Sequence, residues 1–189
     1  MYHGIKDQDF IRSQIPMTKE EIRAIVLREL KLQPSSILLD IGAGTGSISI
    51  EAAQITQQGK VWAIEEKPEA VTLIQKNINK FGIKNIKIIQ GQAPDCLQNL
   101  PGFTHAFIGG SGGRISEILT YLKNQISRPG YIAITAINPD TVSQSYSFLQ
   151  NQGFQEIKSI LVQISRSERA GNSVLYKALN PIYIISANI

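Results

Sequence analysis

The spacing of apolar positions changes several times along this chain, and the changes mark its elements. Ile22, Ile25, Val26 and Leu30 recur at three- and four-residue intervals, which predicts a helix beginning at Thr18. Thr18 and Glu21 stand three apart, the pattern of a capping box in which hydroxyl and carboxylate each accept a backbone N–H. Pro34 closes that segment. Ile37-Leu38-Leu39 is a continuous apolar run, followed by Asp40, a glycine cluster and a helical stretch over 47–56. Residues 60–65 read as a second strand. Pro68 suits the first turn of a helix, Val71, Ile74, Ile78 and Phe81 share one face of it, and Gly82 is a stop signal. A third strand over 86–89 and a short helix over 95–100 follow. A fourth strand over 104–108 ends in Gly109-Gly110-Ser111-Gly112-Gly113. Ile115, Ile118, Leu119, Leu122 and Ile126 return to helical spacing. Residues 131–136 form a fifth strand and 142–152 a last helix.

Strands alternating with helices imply right-handed crossovers and a parallel sheet. Continuous apolar strands, rather than alternating ones, fit a sheet covered on both faces. The fold class is therefore α/β, a three-layer Rossmann-like arrangement. The end of the chain breaks the pattern. Residues 154–164 and 174–185 are two β-rich runs joined only by the polar stretch 165–172, so they should pair as a large antiparallel hairpin added to a mostly parallel sheet. Residues 1–17 read as a polar arm whose Phe10 and Ile11 dock on the body. With no repeat or linker, a single domain over 1–189 is expected: the arm, nucleotide-binding βα units over 18–152, and the hairpin over 153–189.

Composition narrows the class. The 189 residues carry a formal charge of +4, with 42% hydrophobic residues and a pI near 9.2. That is too apolar for a disordered chain and long enough to bury a core without staples. No apolar run approaches the roughly 20 residues of a membrane-spanning helix, and the N-terminus lacks the apolar stretch of a secretory signal. A lone cysteine, Cys96, excludes an internal disulfide and a cysteine-based zinc site. No metal site and a cytoplasmic location are expected. The charge surplus admits an acidic partner, either nucleic acid or a polyanionic small molecule.

The strongest motif is Asp40-Ile41-Gly42-Ala43-Gly44-Thr45-Gly46-Ser47, between a strand and a helix. The dinucleotide fingerprint would need a third glycine where Ser47 stands, and no Gly-Lys-Ser/Thr of a P-loop follows. Glu65 ends the second strand 19 residues after Gly46, where a carboxylate can accept from both hydroxyls of a ribose. Glu66 competes for that role.

With these features the chain resembles the class I S-adenosyl-L-methionine-dependent methyltransferases, whose nucleotide loop has this glycine spacing after an acidic residue and whose sheet ends in an antiparallel hairpin. Gly91-Gln92-Ala93 matches the place where such enzymes contact adenine. At the chain ends the resemblance narrows. Gly4-Ile5-Lys6-Asp7 with Phe10, Pro16-Met17-Thr18-Lys19, Phe107-Ile108-Gly109-Gly110 and Asn180-Pro181-Ile182 are similar to the precorrin methyltransferases of cobalamin biosynthesis. Those enzymes methylate carbon-15 of a corrin precursor and decarboxylate its carbon-12 acetate. The resemblance implies that Thr18, Gly42, Ala43, Gly44, Thr45, Gly46, Glu65 and Ala93 contact the cofactor. It also implies a tetrapyrrole polycarboxylate substrate and a homotetramer. One departure is Gln92, where many relatives carry an acidic residue.

Gly109, Gly110, Ser111 and Arg114 are the substrate-side candidates, the glycines because a flat ring could approach their backbone. Cations should ring a polycarboxylate; Lys6, Arg12, Arg166 and Arg169 are further candidates. Tyr2 and Tyr146 could stack on the ring. His3 is isolated, and His105, Cys96, Trp62 and Phe107 read as structural. Two other readings remain. A methyltransferase acting on RNA would be expected to show an Asn/Asp-Pro-Pro-Tyr motif after the fourth strand, or a basic run interleaved with aromatics. A non-catalytic binding module would not need an intact loop and Glu65.

Overall fold

The computed structural model describes residues 4–98 and 100–189; Tyr2 and His3 lie outside them. The alternation read from the sequence becomes strands β1 Ile37–Ile41, β2 Lys60–Glu65, β3 Ile86–Gln90, β4 Phe103–Ile108 and β5 Ile126–Ala136, all mutually parallel. Among them run helices α1 Glu20–Leu30, α2 Ser47–Ile55, α3 Pro68–Phe81, α4 Ile115–Gln125 and α5 Pro139–Asn151. A turn of 3-10 helix over Asp95–Leu97 replaces the short helix expected there.

Successive strand residues point to opposite faces, and the packing follows. Leu39, Ile41, Trp62 and Ile64 meet Ile118, Leu119 and Leu122 of α4 and Leu149 of α5. Leu38, Val61 and Phe107 turn the other way, onto Ile22, Val26 and Leu30 of α1 and Ile48 of α2. Ala63 faces Ile74 and Ile78 of α3, where Phe10 of the arm also packs. This is the three-layer α/β sandwich, and burial on both faces is why the strands are apolar runs. Pro68 and Gly82 act as predicted. Pro68 opens α3, and Gly82 sits at φ +65° with its N–H on the carbonyls of Ile78 and Asn79.

The chain end is rearranged relative to the sequence reading. The polar stretch 165–172 is no loop: Ser165–Ala170 is strand β7, paired with β8 Ser173–Ala178 across a Gly171-Asn172 turn. The second expected run is cut at Leu179–Pro181, so β9 Ile182–Asn188 is a separate strand. β9 lies antiparallel to β5 on one side and to β6 Gln155–Val162 on the other. The main sheet runs β3-β2-β1-β4-β5-β9-β6, with β7-β8 a separate ribbon. Both faces of β7 are largely in solvent, so its side chains carry no buried alternation to read. Pro181 has no N–H to continue a ladder.

The capping box is also absent. α1 starts at Glu20 with Lys19 as its cap residue, and no side chain caps it. The Glu21 carboxylate is taken by Arg166 of β7, at 2.7 and 3.1 Å, which holds it below the usual carboxylate range.

Candidate functional site

The five parallel strands bring their carboxyl ends to one edge, where doubly wound sheets bind ligands. A cavity of about 530 Å³ opens there, within the roughly 300–1,000 Å³ typical of small-molecule sites. One half is built from the ends of β1, β2 and β3. After Ile41 the chain turns back on itself: the N–H groups of Gly42 and Ala43 both donate to the Ile64 carbonyl at 3.0 Å. Gly42 is required twice over. Its φ is +72°, and a Cβ would stand 2.7 Å from the Gly110 backbone. The turn after β1 and the turn after β4 therefore touch main chain to main chain.

Glu65 organises this half. One carboxylate oxygen accepts the Gly44 N–H at 2.8 Å and the other accepts the Lys67 N–H at 3.0 Å. A carboxylate offers about four acceptor positions, so each oxygen keeps capacity for a further donor facing the cavity. Glu66 also lines the cavity, but Glu65 alone clasps the glycine turn. Thr18, Ala43, Thr45 and Ala93 line the wall. Thr45 is 1% exposed and its hydroxyl has no partner, a buried donor and acceptor at the edge of a ligand space. Gly46 does not line the cavity: at φ +78° it caps α2, with Ile74 3.1 Å from where its Cβ would be. In the structure it shapes the turn.

Beneath the turn, Asp40 is buried. One oxygen accepts from the Ser49 hydroxyl at 2.5 Å and the other is unpartnered. Burial, with lesser repulsion from Glu65, raises its pKa to about 7 against the bond from Ser49.

The other half comes from β4, β5, β9 and the arm. Gly109, Gly110, Ser111 and Gly112 face Ile15, Pro16 and Met17 of the arm. Thr135, Ala136, Ile137 and Ile182 complete it. Ile137 is 74% exposed, a large apolar side chain at the rim that periodicity could not single out because it lies just past the end of β5. Met17 and Ile182 were likewise read only as parts of motifs or strands.

The expected cations do not gather here. Arg114 does not line the cavity. Its guanidinium reaches Asp95 at 2.6 and 3.0 Å and Glu117 at 2.5 and 3.1 Å, tying the start of α4 to the 95–97 turn. Asp95 and Glu117 are both held below the ordinary carboxylate range by it. Arg166 is bound to Glu21 and Asp7, and Lys6 lines a separate surface groove with Glu20 and Arg28. Arg12 and Arg169 line neither. Among the described residues Lys67 is the cation on the cavity wall. Gln92 lines it too, with its amide oxygen 3.5 Å from Arg114.

The structural readings fit their places. His105 is buried, stacked on Tyr131, and burial lowers its pKa to about 4. Trp62 and Phe107 are in the core. Cys96 is half-buried in the 95–97 turn, where burial raises its thiol. Tyr146 lies on α5, off the cavity. No cluster of three or more metal-ligating side chains occurs among the described residues, and no helix there is long and apolar enough to cross a membrane.

A family model described as the precorrin methyltransferase domain matches residues 9–188. A protein of Sulfolobus acidocaldarius is 39% identical over 186 residues, covering 96% of this chain and 95% of that one. One from Salmonella typhimurium, named cobalt-precorrin-6B C(15)-methyltransferase (decarboxylating), is 34% identical over 184 residues, 96% and 94% of the two chains. Among solved structures, a precorrin-6y C5,15-methyltransferase from Geobacter metallireducens superposes with a TM-score of 0.93 at 33% identity, covering 98% of each chain.

Proposed function

The chain belongs to the precorrin methyltransferase domain family, and from that premise we propose that it methylates carbon-15 of precorrin-6B or its cobalt form and decarboxylates the same ring, at the carbon-12 acetate, in cobalamin biosynthesis. The observation that carries this reading is a single cavity joining the Glu65–Gly44 clasp to the glycine turn after β4. S-adenosyl-L-methionine supplies an electrophilic methyl group. The residues present fit it: Glu65 keeps acceptor capacity for a ribose diol, the Thr45 hydroxyl is buried without a partner, and Ala93 lines the place expected for adenine. Thr18 closes the arm side of the same wall.

The chain's contribution is alignment. Holding two reactants in a reactive geometry replaces lost translational freedom and supplies much of the rate. The substrate ring is itself the carbon nucleophile and the electron sink for the departing carbon dioxide, so no side chain is required as a strong base. Gly109 and Gly110 let a flat ring come close to the backbone, and Ile137 and Ile182 give it an apolar seat that keeps water from the reacting carbon. A tetrapyrrole is wider than the cavity, so its carboxylates reach the rim. We read the protein as a cytoplasmic homo-oligomer, a tetramer by family resemblance. Exposed Val174, Leu175 and Tyr176 on the β7-β8 ribbon support association.

Purified protein incubated with precorrin-6B, or its cobalt form, and S-adenosyl-L-methionine should yield a product heavier by one methyl and lighter by carbon dioxide in mass spectrometry. Unchanged substrate, or methyl label appearing in added RNA instead, would overturn the reading.

A further inference from the structure

The arm reaches the cavity through a buried amide. Asn77 of α3 is completely buried. Its side-chain oxygen accepts the Ile11 N–H at 2.8 Å, and its NH2 group donates to the Ile11 carbonyl at 3.1 Å and to the Thr45 carbonyl at 3.0 Å. Both donor hydrogens and the acceptor are thereby used. Asn77 thus holds the arm with two bonds and the glycine turn with the third. Five residues after Ile11 the arm lies on that same turn: the Pro16 carbonyl oxygen is 3.2 Å from where a Gly44 Cβ would stand. Ile15, Pro16, Met17 and Thr18 then form cavity wall.

The near side of the arm is fixed separately. Arg23, fully buried in α1, donates to Asp7 at 2.7 Å, to Glu51 at 2.8 Å and to the Thr18 carbonyl at 2.6 Å, and also to the Ile5 carbonyl. Residues 12–17 are therefore a strap tethered at both ends, by Asn77 before it and by Arg23 after it.

We propose that Asn77 is a positioning residue for the cofactor. It sets the arm's height over the glycine turn, so that loss of its amide opens the strap and weakens binding of an S-adenosyl nucleoside without Asn77 touching it. The inference rests on the reading that this cavity binds S-adenosyl-L-methionine.

The test uses S-adenosylhomocysteine as probe and a matched control. Asn85, just beyond α3, also donates its side-chain amide to two carbonyls, Ala53 at 3.1 Å and Thr56 at 2.8 Å, but touches neither arm nor glycine turn. Asn77→Leu, which removes all three bonds, should raise the Kd for S-adenosylhomocysteine about tenfold in calorimetry, the order of one net hydrogen bond lost from binding while the rest of the loss falls on the fold. It should raise the KM for S-adenosyl-L-methionine in parallel and leave kcat within about twofold at saturation. Asn85→Ala should lower Tm and leave that Kd within about twofold. A second measurement needs no variant: S-adenosylhomocysteine should slow hydrogen exchange at the Ile11 amide of the unaltered protein. If unaltered protein does not bind the probe, the cofactor reading itself fails. If it binds while Asn77→Leu binds equally, or while Ile11 exchange stays unchanged, the positioning role is overturned.

Discussion

The two halves of the cavity are built on different principles. The half around Glu65, which we propose takes the cofactor, is a cage of specific polar bonds: Glu65 to Gly44 and Lys67, Gly42 and Ala43 to Ile64, Asn77 to Thr45. The other half, which we propose takes the substrate, is largely main chain at Gly109, Gly110 and Gly112, with the small Ser111 side chain among them and aliphatic groups such as Ile137 and Ile182 beside it. A small ligand of fixed shape can be read by directed hydrogen bonds, which lose their worth when misaligned. A broad flat ring is met by shape and by exclusion of water, with polar recognition left to its periphery. The first half should fail sharply when one residue changes; the second should fail by degree.

The largest effect is expected at Glu65. Glu65→Ala removes the clasp on Gly44 and the acceptors offered to a ribose, each charge-assisted bond being worth roughly 1.5–3 kcal/mol. Binding of S-adenosylhomocysteine in calorimetry should weaken by about a hundredfold or more, and Glu65→Gln, which keeps one acceptor, should fall between. Affinity unchanged in both variants would mean that the cage does not read the cofactor, and the contrast between the halves would collapse.

Ile137 sharpens the other side. Ile137→Asp sets a charge where the ring should rest, next to a polycarboxylate. Substrate KM should rise about tenfold while the Kd for S-adenosylhomocysteine stays within about twofold, and Ile137→Leu should behave nearly as the unaltered protein, since apolar swaps of similar volume cost little. If both constants rise together, the two halves are not separable.

This division also explains what could be read from the sequence. Directed bonds demand residue types at fixed spacing, so Gly42, Gly44 and Glu65 stood out before any coordinate was known. Gly46 stood out for the same reason, yet it serves the turn. Apolar walls demand only an aliphatic residue, so Ile137 looked like any residue after a strand. Asn77 was invisible because its partners, Ile11 and Thr45, are 66 and 32 positions away. The five parallel strands of the main sheet were legible because burial on both faces writes an apolar run, whereas β9 was merged with β8 into one expected run. β7 was not legible, because a ribbon in solvent writes nothing, and the Thr18–Glu21 box failed because Arg166 of that unread ribbon takes the carboxylate.

Asp40 offers a pH-dependent probe of the ground under the cage. Its carboxyl is raised from 3.8 to about 7 in the folded protein, chiefly by burial. The stability it contributes is fully present below the unfolded value and is lost as pH rises through the folded one. Asp40→Asn cannot ionise. Relative to the unaltered protein it should gain stability between about pH 4 and 7, by at most about 1.4 kcal/mol per pH unit. Urea unfolding at several pH values checks this. A difference between the two proteins that stays flat with pH would show that Asp40 is charged when folded.

The smallest effect is expected at Arg114, and its smallness is the point. A cation that bound a substrate carboxylate by charge-assisted bonds would cost about ten- to a hundredfold in KM when removed. Here the guanidinium faces two carboxylates, Asp95 and Glu117, so the cluster has a net negative charge and cannot attract an anion. Its bonds join α4 to the 95–97 turn. Arg114→Gln should therefore leave substrate KM within about threefold. The loss should instead appear as a modest fall in Tm, greatest at neutral pH. The depressed pKa values of Asp95 and Glu117 stabilise the fold above their unfolded values, and that contribution fades as pH falls through their folded ones. A tenfold rise in KM at constant Tm would return Arg114 to the substrate. It would also show that the second half, like the first, reads its ligand through a directed side chain.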